Sequence, residues 1–313
     1  MNGRRALVIG EALIDVVERG GHITGEHVGG SPLNVAVGLA RLGRDVDFLT
    51  HIGTDERGQR IREFVETAGV RMVSGSTDAG RTATARAFLD ESGAATYSFD
   101  IDWQLSGTPP VPPPLVLHTG SIATVLEPGC RATAALVDTY RPSATVTFDP
   151  NIRPALITDA QAARNRIDRI LEKADVVKVS DEDLRWIDPD FAPEQIGAAW
   201  LALGVSVVVV TLGGDGAVAR CAAGDVRVPA PNVDVVDTVG AGDAFMTGLI
   251  DALWSQDLLG AERRSRLAAI GLDELTGAVR AASRAAALTV ARAGADLPDR
   301  AALDAAGSSD ILG

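Results

Sequence analysis

The alternation of two kinds of segment along the chain is the feature that most restricts its fold. Short apolar runs rich in β-branched residues are separated by longer segments with helical periodicity over most of the 313 residues. Strands that alternate with helices of this length form βαβ units. We therefore predict an α/β fold with a doubly wound, mostly parallel sheet and helices on both faces. The six predicted core strands cover residues 6–10, 46–50, 115–118, 144–148, 176–179 and 205–211.

Two segments interrupt this alternation and predict a small β-sheet lid outside the main sheet. They cover about residues 11–28 and 82–105, and each contains two short strand-like arms around a turn. Residues 90–93 (DESG) have a composition typical of a hairpin turn. We expect residues 1–306 to form a single domain that carries this lid, followed by a flexible C-terminal tail over residues 307–313.

Charge and hydropathy argue against several classes of partner. The 42 acidic and 29 basic side chains give a net charge of −13, which repels nucleic acid and anionic membrane surfaces. No apolar run approaches the roughly 18–20 residues of a membrane-spanning helix, and the N-terminus lacks the pattern of a secretory signal. A cytoplasmic protein is therefore expected. The two cysteines and four histidines show neither a disulfide framework nor the spacing of metal ligands.

The most informative motif is DTVGAGDAFMTG at residues 237–248, which follows a strand-like run at 233–236 and opens an apolar helix. Gly240 and Gly242 allow a ligand to approach the backbone closely. The free N–H groups and the dipole at a helix N-terminus favour an anion such as phosphate. Asp243 lies beside this predicted anion site, where we expect it to handle a proton. The alternative is that Asp243 only caps the helix.

A second motif, GGSPLNVA at residues 29–36, leads into a helix that is apolar on almost every side. Asn34 lies one turn inside that helix, where its intrinsic propensity is poor. A buried amide needs hydrogen-bond partners, and a polyol ligand would supply them. The alternative is that Asn34 satisfies nearby backbone groups.

Both motifs resemble the two signature regions of the ribokinase-like, or PfkB, carbohydrate kinases. The resemblance continues in the same order over residues 6–298, and it includes segments 10–15, 53–58, 149–153, 178–183 and 211–216. It implies a β-sheet lid over a sugar, and transfer of the γ-phosphoryl group of ATP to a sugar hydroxyl with Mg²⁺. Many members of this family also respond to a monovalent cation, so K⁺ is a further candidate cofactor. Lids pair in some members, which predicts a homodimer here.

The resemblance also implies a role for individual residues. Asp243 would be the general base, and the N–H groups of Gly240, Ala241 and Gly242 would form the anion hole. Asp183 stands where the family has a glutamate that organises Mg²⁺, here through a water molecule; helix capping is the alternative. Arg153 would face substrate, or else pair with Asp149. The remaining implied contacts are Asp15, Gly30 and Asn34 for the sugar, Ser180, Thr211, Gly213 and Gly216 for the nucleotide, and Asp237 and Thr238 for a monovalent cation.

Fructose is the sugar that the motifs favour, because GGSPLN and the segments at 148–153 and 178–182 resemble those of fructokinases. The main alternative is a 2-keto-3-deoxygluconate kinase, but we expect Asp100 and Asp102 to repel the carboxylate of its substrate. A nucleoside kinase is a weaker alternative, since only 4% of the residues are aromatic. A dinucleotide-dependent oxidoreductase lacks its glycine motif here. An inactive sugar sensor is disfavoured because Asp243 and the neighbouring glycines are present.

Overall fold

The structure, a computed structural model, describes residues 4–89, 95–107, 109–189 and 193–309. The strands in chain order are β1 (Arg5–Ile9), β2 (Leu13–Arg19), β3 (His22–Gly29), β4 (Asp45–Leu49), β5 (Arg71–Met72), β6 (Thr84–Leu89), β7 (Ala95–Asp100), β8 (Val116–Gly120), β9 (Thr145–Asp149), β10 (Val176–Ser180), β11 (Val207–Thr211), β12 (Ala217–Cys221) and β13 (Gly224–Val228). The helices are α1 (Ser31–Arg41), α2 (Glu56–Thr67), α3 (Gly129–Tyr140), α4 (Ala160–Leu171), α5 (Asp181–Ile187), α6 (Pro193–Ala202), α7 (Ala241–Ser255), α8 (Arg264–Ala268), α9 (Leu272–Val290) and α10 (Arg300–Ser309).

The larger sheet has nine strands within the described ranges, in the order β13-β12-β11-β10-β9-β8-β1-β4-β5. The strands from β11 to β5 pair in parallel, and β12 and β13 add an antiparallel edge. The predicted mostly parallel sheet is therefore confirmed. The carboxyl ends of parallel strands meet at one edge, so the loops that follow β1, β8, β9, β10 and β11 come together there.

Alternate residues of the central strands enter two different hydrophobic cores. In β11, Val207 and Val209 belong to the core that contains residues of α1, α7 and α9, whereas Val208 and Val210 belong to the core that contains residues of α3 and α4. A strand that is buried on both faces needs a continuous apolar sequence, which the run of four valines supplies. The prediction of helices on both faces of the sheet is confirmed.

The lid is a separate four-stranded sheet in the order β3-β2-β6-β7. The two hairpins are antiparallel and join through parallel pairing of β2 with β6. Asp15 lies opposite His27 and Ala85, and Ala85 lies opposite Phe99, so these four residues share one face. The turn expected at residues 90–93 lies outside the described residues.

Two expectations about local structure were wrong. The run at residues 233–236 forms no strand; Val235 and Val236 are 63% exposed, and the N–H of Val236 donates to the carbonyl of Val290 at the end of α9. Among the described strands, none pairs with this β-branched segment, and strand propensity alone does not form a strand.

Helix α10 extends through Ser309 and thus includes the first part of the expected tail. The division into one domain with a lid stays a prediction. Within the described part of the chain, no helix has the length and apolarity to span a membrane.

Candidate active site

Helix α7 begins at the carboxyl edge of the sheet in a conformation that requires glycine. Its N-cap residue, Gly240, has a φ of 79°, in the left-handed region. A Cβ atom at Gly240 would lie 2.6 Å from the Cβ of Ala295 and 2.9 Å from its Cα. The glycine therefore lets the start of α7 pack directly against the loop that follows α9.

Asp243, the third residue of α7, is buried and receives two hydrogen bonds from α1. The hydroxyl of Ser31 donates to Oδ1 at 2.6 Å, and Nδ2 of Asn34 donates to Oδ2 at 2.7 Å. No side chain caps α7. The two alternatives, that Asp243 caps its helix and that the Asn34 amide serves local backbone, are therefore wrong. The two sequence motifs meet at this carboxylate.

The surroundings of Asp243 suit a proton acceptor. Burial raises the pKa of its carboxyl group above the ordinary value, while the hydrogen bonds from Ser31 and Asn34 and the charges of Lys178 and Arg153 lower it, with a net increase. A general base works best when its pKa lies closer to the operating pH than that of an exposed aspartate. The site thus holds a carboxylate that is oriented by two donors and made more basic by burial.

A cavity of about 490 Å³ opens at the start of α7. Its lining combines four glycines with apolar side chains that include those of Phe245, Ala287 and Val290. Such a lining suits a ligand that has both an anionic group and an apolar part. Six of the residues predicted to contact nucleotide, phosphate or cation line it together: Thr211, Gly213, Gly216, Thr238, Ala241 and Gly242.

Asp237 joins the loop that precedes α7 to the loop that follows α9. Its Oδ1 accepts from the N–H of Val239 at 3.0 Å, and its Oδ2 accepts from the N–H of Gly294 at 2.9 Å. These hydrogen bonds hold the pKa of Asp237 below its ordinary value. Each oxygen thus already has a backbone partner, and the expected role of Asp237 and Thr238 in binding a monovalent cation stays a prediction.

Lys178 is a residue of this site to which the sequence analysis gave no role. Its Nζ lies 2.9 Å from Oδ2 of Asp149, and both side chains are buried. Burial alone would lower the pKa of Lys178, but Asp149 raises it above the ordinary value. Because Asp149 pairs with Lys178, the expectation that Arg153 might pair with it is wrong; Arg153 donates instead to Asn151 and to the carbonyl of Ile152. A lysine inside the apolar run VVKVS was the available signal.

Three of the residues that are predicted to bind the sugar, Asp15, Gly30 and Asn34, lie where the lid meets α1. A Cβ at Gly29 would lie 2.2 Å from Oδ2 of Asp15, so this glycine makes room for that carboxylate. Gly30 has a φ of 119°, and a Cβ there would lie 2.6 Å from the carbonyl oxygen of Glu11. Partial burial raises the pKa of Asp15, while His27 and then Arg153 lower it. The charge of Arg153 thus acts on both Asp15 and Asp243.

Comparison with known proteins decides the family. The model of the pfkB family carbohydrate kinases matches residues 4–302. The chain belongs to this family of carbohydrate kinases. It is 36% identical over 265 residues to a fructokinase of Rhizobium leguminosarum bv. trifolii, with 81% of each chain covered. It is 37% identical over 262 residues to a fructokinase of Klebsiella pneumoniae, covering 81% of this chain and 85% of the relative.

Solved structures of the family superpose over almost the whole chain. The fructokinase from Vibrio cholerae O395, crystallised with fructose, ADP and calcium ion, has a TM-score of 0.78 and 28% identity. The superposition covers 96% of this chain and 98% of that one. The predicted resemblance to PfkB carbohydrate kinases is therefore confirmed, and this member of the family is a kinase that uses ATP.

A further buried carboxyl group, Glu11, follows β1 at the same edge of this PfkB kinase. Burial raises its pKa to about 7, while the hydroxyl of Ser121 and the charge of Arg153 oppose the increase. Its Oε2 has no hydrogen-bond partner among the described residues. Glu11 lies within the family-like segment at residues 10–15, but no role was predicted for it. Its charged side chain directly after a buried strand was the signal.

Ser180 and Asp183, at the start of α5, connect this helix to the loop that follows β9. Ser180 caps α5 by accepting from the N–H of Asp183 at 3.0 Å, and it does not line the described cavity. Oδ1 of Asp183 accepts from the N–H of Ile152 at 2.9 Å. This oxygen fixes the loop after β9 and does not cap its own helix, so the capping alternative for Asp183 is wrong.

The expectation that Asp100 and Asp102 repel a sugar acid stays a prediction, and the structure weakens it for Asp100. Asp100 lies opposite Thr84, one residue out of step with the face that carries Asp15 and Phe99, so the register directs it to the other side of the lid. It forms an ion pair with Arg81. The carboxylate of Asp102 accepts from the side-chain amide of Gln104. Tyr97 and Phe99 are the β7 residues that share the face of the lid carrying Asp15.

Proposed function

We propose that this chain is a fructokinase, which transfers the γ-phosphoryl group of ATP to a hydroxyl of fructose. The observation that carries the proposal is the position of Asp243, held by Ser31 and Asn34 between the lid and the phosphate end of the cavity. The choice of fructose is supported by the relatives named fructokinase and by the Vibrio cholerae structure with bound fructose.

In the proposed reaction, Asp243 accepts the proton of the sugar hydroxyl as the sugar oxygen forms a bond to the γ-phosphorus. The bond between that phosphorus and the β–γ bridging oxygen breaks, and ADP leaves. Asp15, Gly30, Asn34 and Arg153 orient the sugar. Phosphoryl transfer depends chiefly on such positioning and on electrostatic stabilisation.

The start of α7 supplies donors for the charge on the transferring group. The proposed anion hole uses the N–H groups of Gly240, Ala241 and Gly242. The N–H of Ala241 donates to the carbonyl of Thr238 at 3.3 Å, a long bond that a phosphate oxygen can displace. Thr211, Gly213 and Gly216 would lie along the rest of the nucleotide, with Ser180 behind its phosphates.

The residues near the phosphate end also fit Mg²⁺. This ion commonly binds through one or two carboxylates, water and nucleotide phosphates. Asp183 is proposed to hold it through water, and the buried Oδ1 of Asp149 lacks a hydrogen-bond partner among the described residues and can accept from such a water. When bound, Mg²⁺ neutralises charge on the β- and γ-phosphates. A K⁺ ion beside Asp237 and Thr238, and a cytoplasmic location where ATP is available, complete the proposal.

A coupled ADP-release assay with Mg-ATP tests the substrate. Its panel is fructose, ribose, tagatose, adenosine and 2-keto-3-deoxygluconate, and we expect the highest kcat/KM with fructose. The sugar acid is the second candidate, because Arg153 is an exposed cation near Asp15 and Asp100 does not face the sugar. Activity on the sugar acid alone would refute fructose and keep the kinase. ATP binding without turnover of any sugar would favour an inactive sensor.

Ser31→Ala is expected to move the acid limb of the pH–kcat profile to higher pH by about one unit. The Ser31 hydroxyl stabilises ionised Asp243 and lowers its pKa, so its loss raises that pKa, and more alkaline solution is needed to ionise the base. Ser31 is the first residue of α1, and alanine has the highest helix propensity, so α1 should tolerate the change. Ser143→Ala, which removes a local bond to Tyr140, is the control. Coincident acid limbs would contradict the assignment of Asp243 as base.

We also propose that two copies pair through their lids. Tyr97 is largely exposed, lies opposite Ala87 on the sugar-facing side and stacks on Phe99 with ring centroids 6.3 Å apart. A second lid would cover this aromatic surface. Light scattering at micromolar concentration is expected to give twice the 32.5 kDa of one chain. A mass of one chain would refute the dimer.

A further inference from the structure

The ammonium group of Lys178 lies against the first turn of α7. An ideal Cβ built on Gly242 would be 2.9 Å from Nζ of Lys178 and 4.0 Å from Cε of the same side chain. The Lys178 side chain is 4% exposed. A full positive charge therefore lies beside the backbone that is proposed to bind the transferring phosphoryl group.

Stability gives no reason for a lysine at this position. Lys178 lies in β10 between Val177 and Val179, both buried. Removing an ion pair from water costs free energy, and replacing a buried pair by apolar residues of similar volume is often neutral or stabilising. The contribution of the Lys178–Asp149 ion pair to folding stability therefore does not explain why these two residues are present.

The composition of the chain makes the choice of residue more specific. Of its 29 basic residues, all but Lys173 and Lys178 are arginine. A guanidinium is a broad planar group, whereas an ammonium is a compact point charge with three donors. The ammonium of Lys178 lies 2.9 Å from Oδ2 of Asp149 and 2.9 Å from an ideal Cβ on Gly242, a narrow space that suits a compact cation. This chain, in which 27 of the 29 basic residues are arginine, thus has lysine at the position beside Gly242, which favours a small cationic group.

We propose that Lys178 is a catalytic residue that donates hydrogen bonds to the γ-phosphoryl oxygens during transfer, and that Asp149 is a positioning residue that holds its ammonium there. This inference rests on the proposed kinase reaction. Lys178 keeps its proton throughout, while the proton of the sugar hydroxyl goes to Asp243, the γ-phosphoryl group moves from ATP to the sugar oxygen, and ADP leaves. A fixed charge in a site shielded from water stabilises developing charge without reorganisation.

The geometry separates this role from that of Arg153. The charge of Arg153 acts on Asp15 and Glu11, on the sugar side, and its guanidinium bonds to its own loop. Both cations act on Asp243, but the ammonium of Lys178 is the one that lies beside Gly242. The proposed contact with the phosphoryl group is therefore assigned to Lys178.

The test compares Lys178→Met with the double variant Lys178→Met/Asp149→Asn. The single variant leaves Asp149 buried without its cation, whereas the double variant removes both charges and so preserves the fold. We expect kcat to fall by at least about 100-fold in both variants, with the sugar KM changed less than about threefold. Lys173→Met, at the only other lysine, is the matched control and should keep wild-type kinetics. Recovery of kcat in the double variant would show that Lys178 only compensates Asp149, and would overturn the proposal.

Binding of a transition-state analogue gives a second readout. Calorimetry with ADP, aluminium fluoride, Mg²⁺ and the sugar that the wild type phosphorylates should show at least about 30-fold weaker binding to the double variant, while ADP alone binds within about threefold of wild type. Equal losses for the two ligands would mean a contact to the resting nucleotide only, and would refute a transition-state role. If Asp243→Asn is inactive but Lys178→Met is active, this inference fails and the kinase assignment stands. If the wild type phosphorylates no sugar, the kinase assignment itself fails.

Discussion

Asp243→Asn is expected to lower kcat by a factor of about 10²–10⁴, the range associated with loss of a general base. The amide of asparagine is not protonated at neutral pH, so the sugar hydroxyl loses the group that accepts its proton. The measurement is steady-state kcat with saturating Mg-ATP and fructose. Sugar affinity, measured by calorimetry, should change little because the contacts of Asp15 and Gly30 are untouched.

The fold of this variant should survive because its hydrogen bonds can be retained. The asparagine oxygen can accept from Nδ2 of Asn34, and its amide can donate to the Ser31 hydroxyl, which accepts as well as donates. Circular dichroism and thermal unfolding therefore serve as the control. A variant that keeps more than about a tenth of the wild-type kcat would contradict the role of Asp243 as base.

Gly242→Ala is expected to lower kcat/KM for ATP by about 10²–10³-fold, a loss comparable to that of an oxyanion-hole donor. The added methyl group would lie 2.9 Å from Nζ of Lys178, closer than a Cβ normally approaches another heavy atom. The methyl group would occupy the space in which a phosphate oxygen approaches the backbone, and it would displace the ammonium. Steady-state kinetics with varied ATP, together with ATP binding by calorimetry, checks the result.

Gly277→Ala is the matched control for that experiment. Gly277 is an exposed residue of α9, and a Cβ there would have its nearest contact at 3.7 Å, with Nε2 of Gln256. This substitution should stabilise the helix by about 0.5–1 kcal/mol and leave the kinetics unchanged. An equally active Gly242→Ala variant would place the phosphate elsewhere than at the start of α7.

Much of the fold could be predicted because its signals are local. A run such as that of β11 is apolar at every position, and this pattern is typical of a strand covered on both faces. The segment at 233–236 has the same local composition and is not a strand, because strand formation also needs a neighbour to pair with. Likewise, the face on which Asp100 lies depends on the register between β6 and β7, which no local pattern determines.

The sequence predicted most residues of the candidate site but not the hydrogen bonds between them. Asp243 and Asn34 were assigned to base and sugar separately, whereas the structure joins them by a hydrogen bond between residues 209 positions apart. Ser31 contributes the other bond, across 212 positions. The positions of Lys178 and Glu11 near the site become apparent only in the structure, in which the parallel sheet brings β10 and the loop after β1 to the same region. Such long-range juxtapositions follow from topology, which the sequence pattern constrains only in outline.

The connection between the lid and the base is a single residue long. Strand β3 ends at Gly29 and α1 begins at Ser31, so Gly30 alone separates the lid from the helix whose first residue holds Asp243. Because the connection is this short, any movement of β3 must either change the backbone torsion angles of Gly30 or shift Ser31. In the proposed reaction, Gly30 therefore couples the position of the lid over the sugar to the orientation of Asp243.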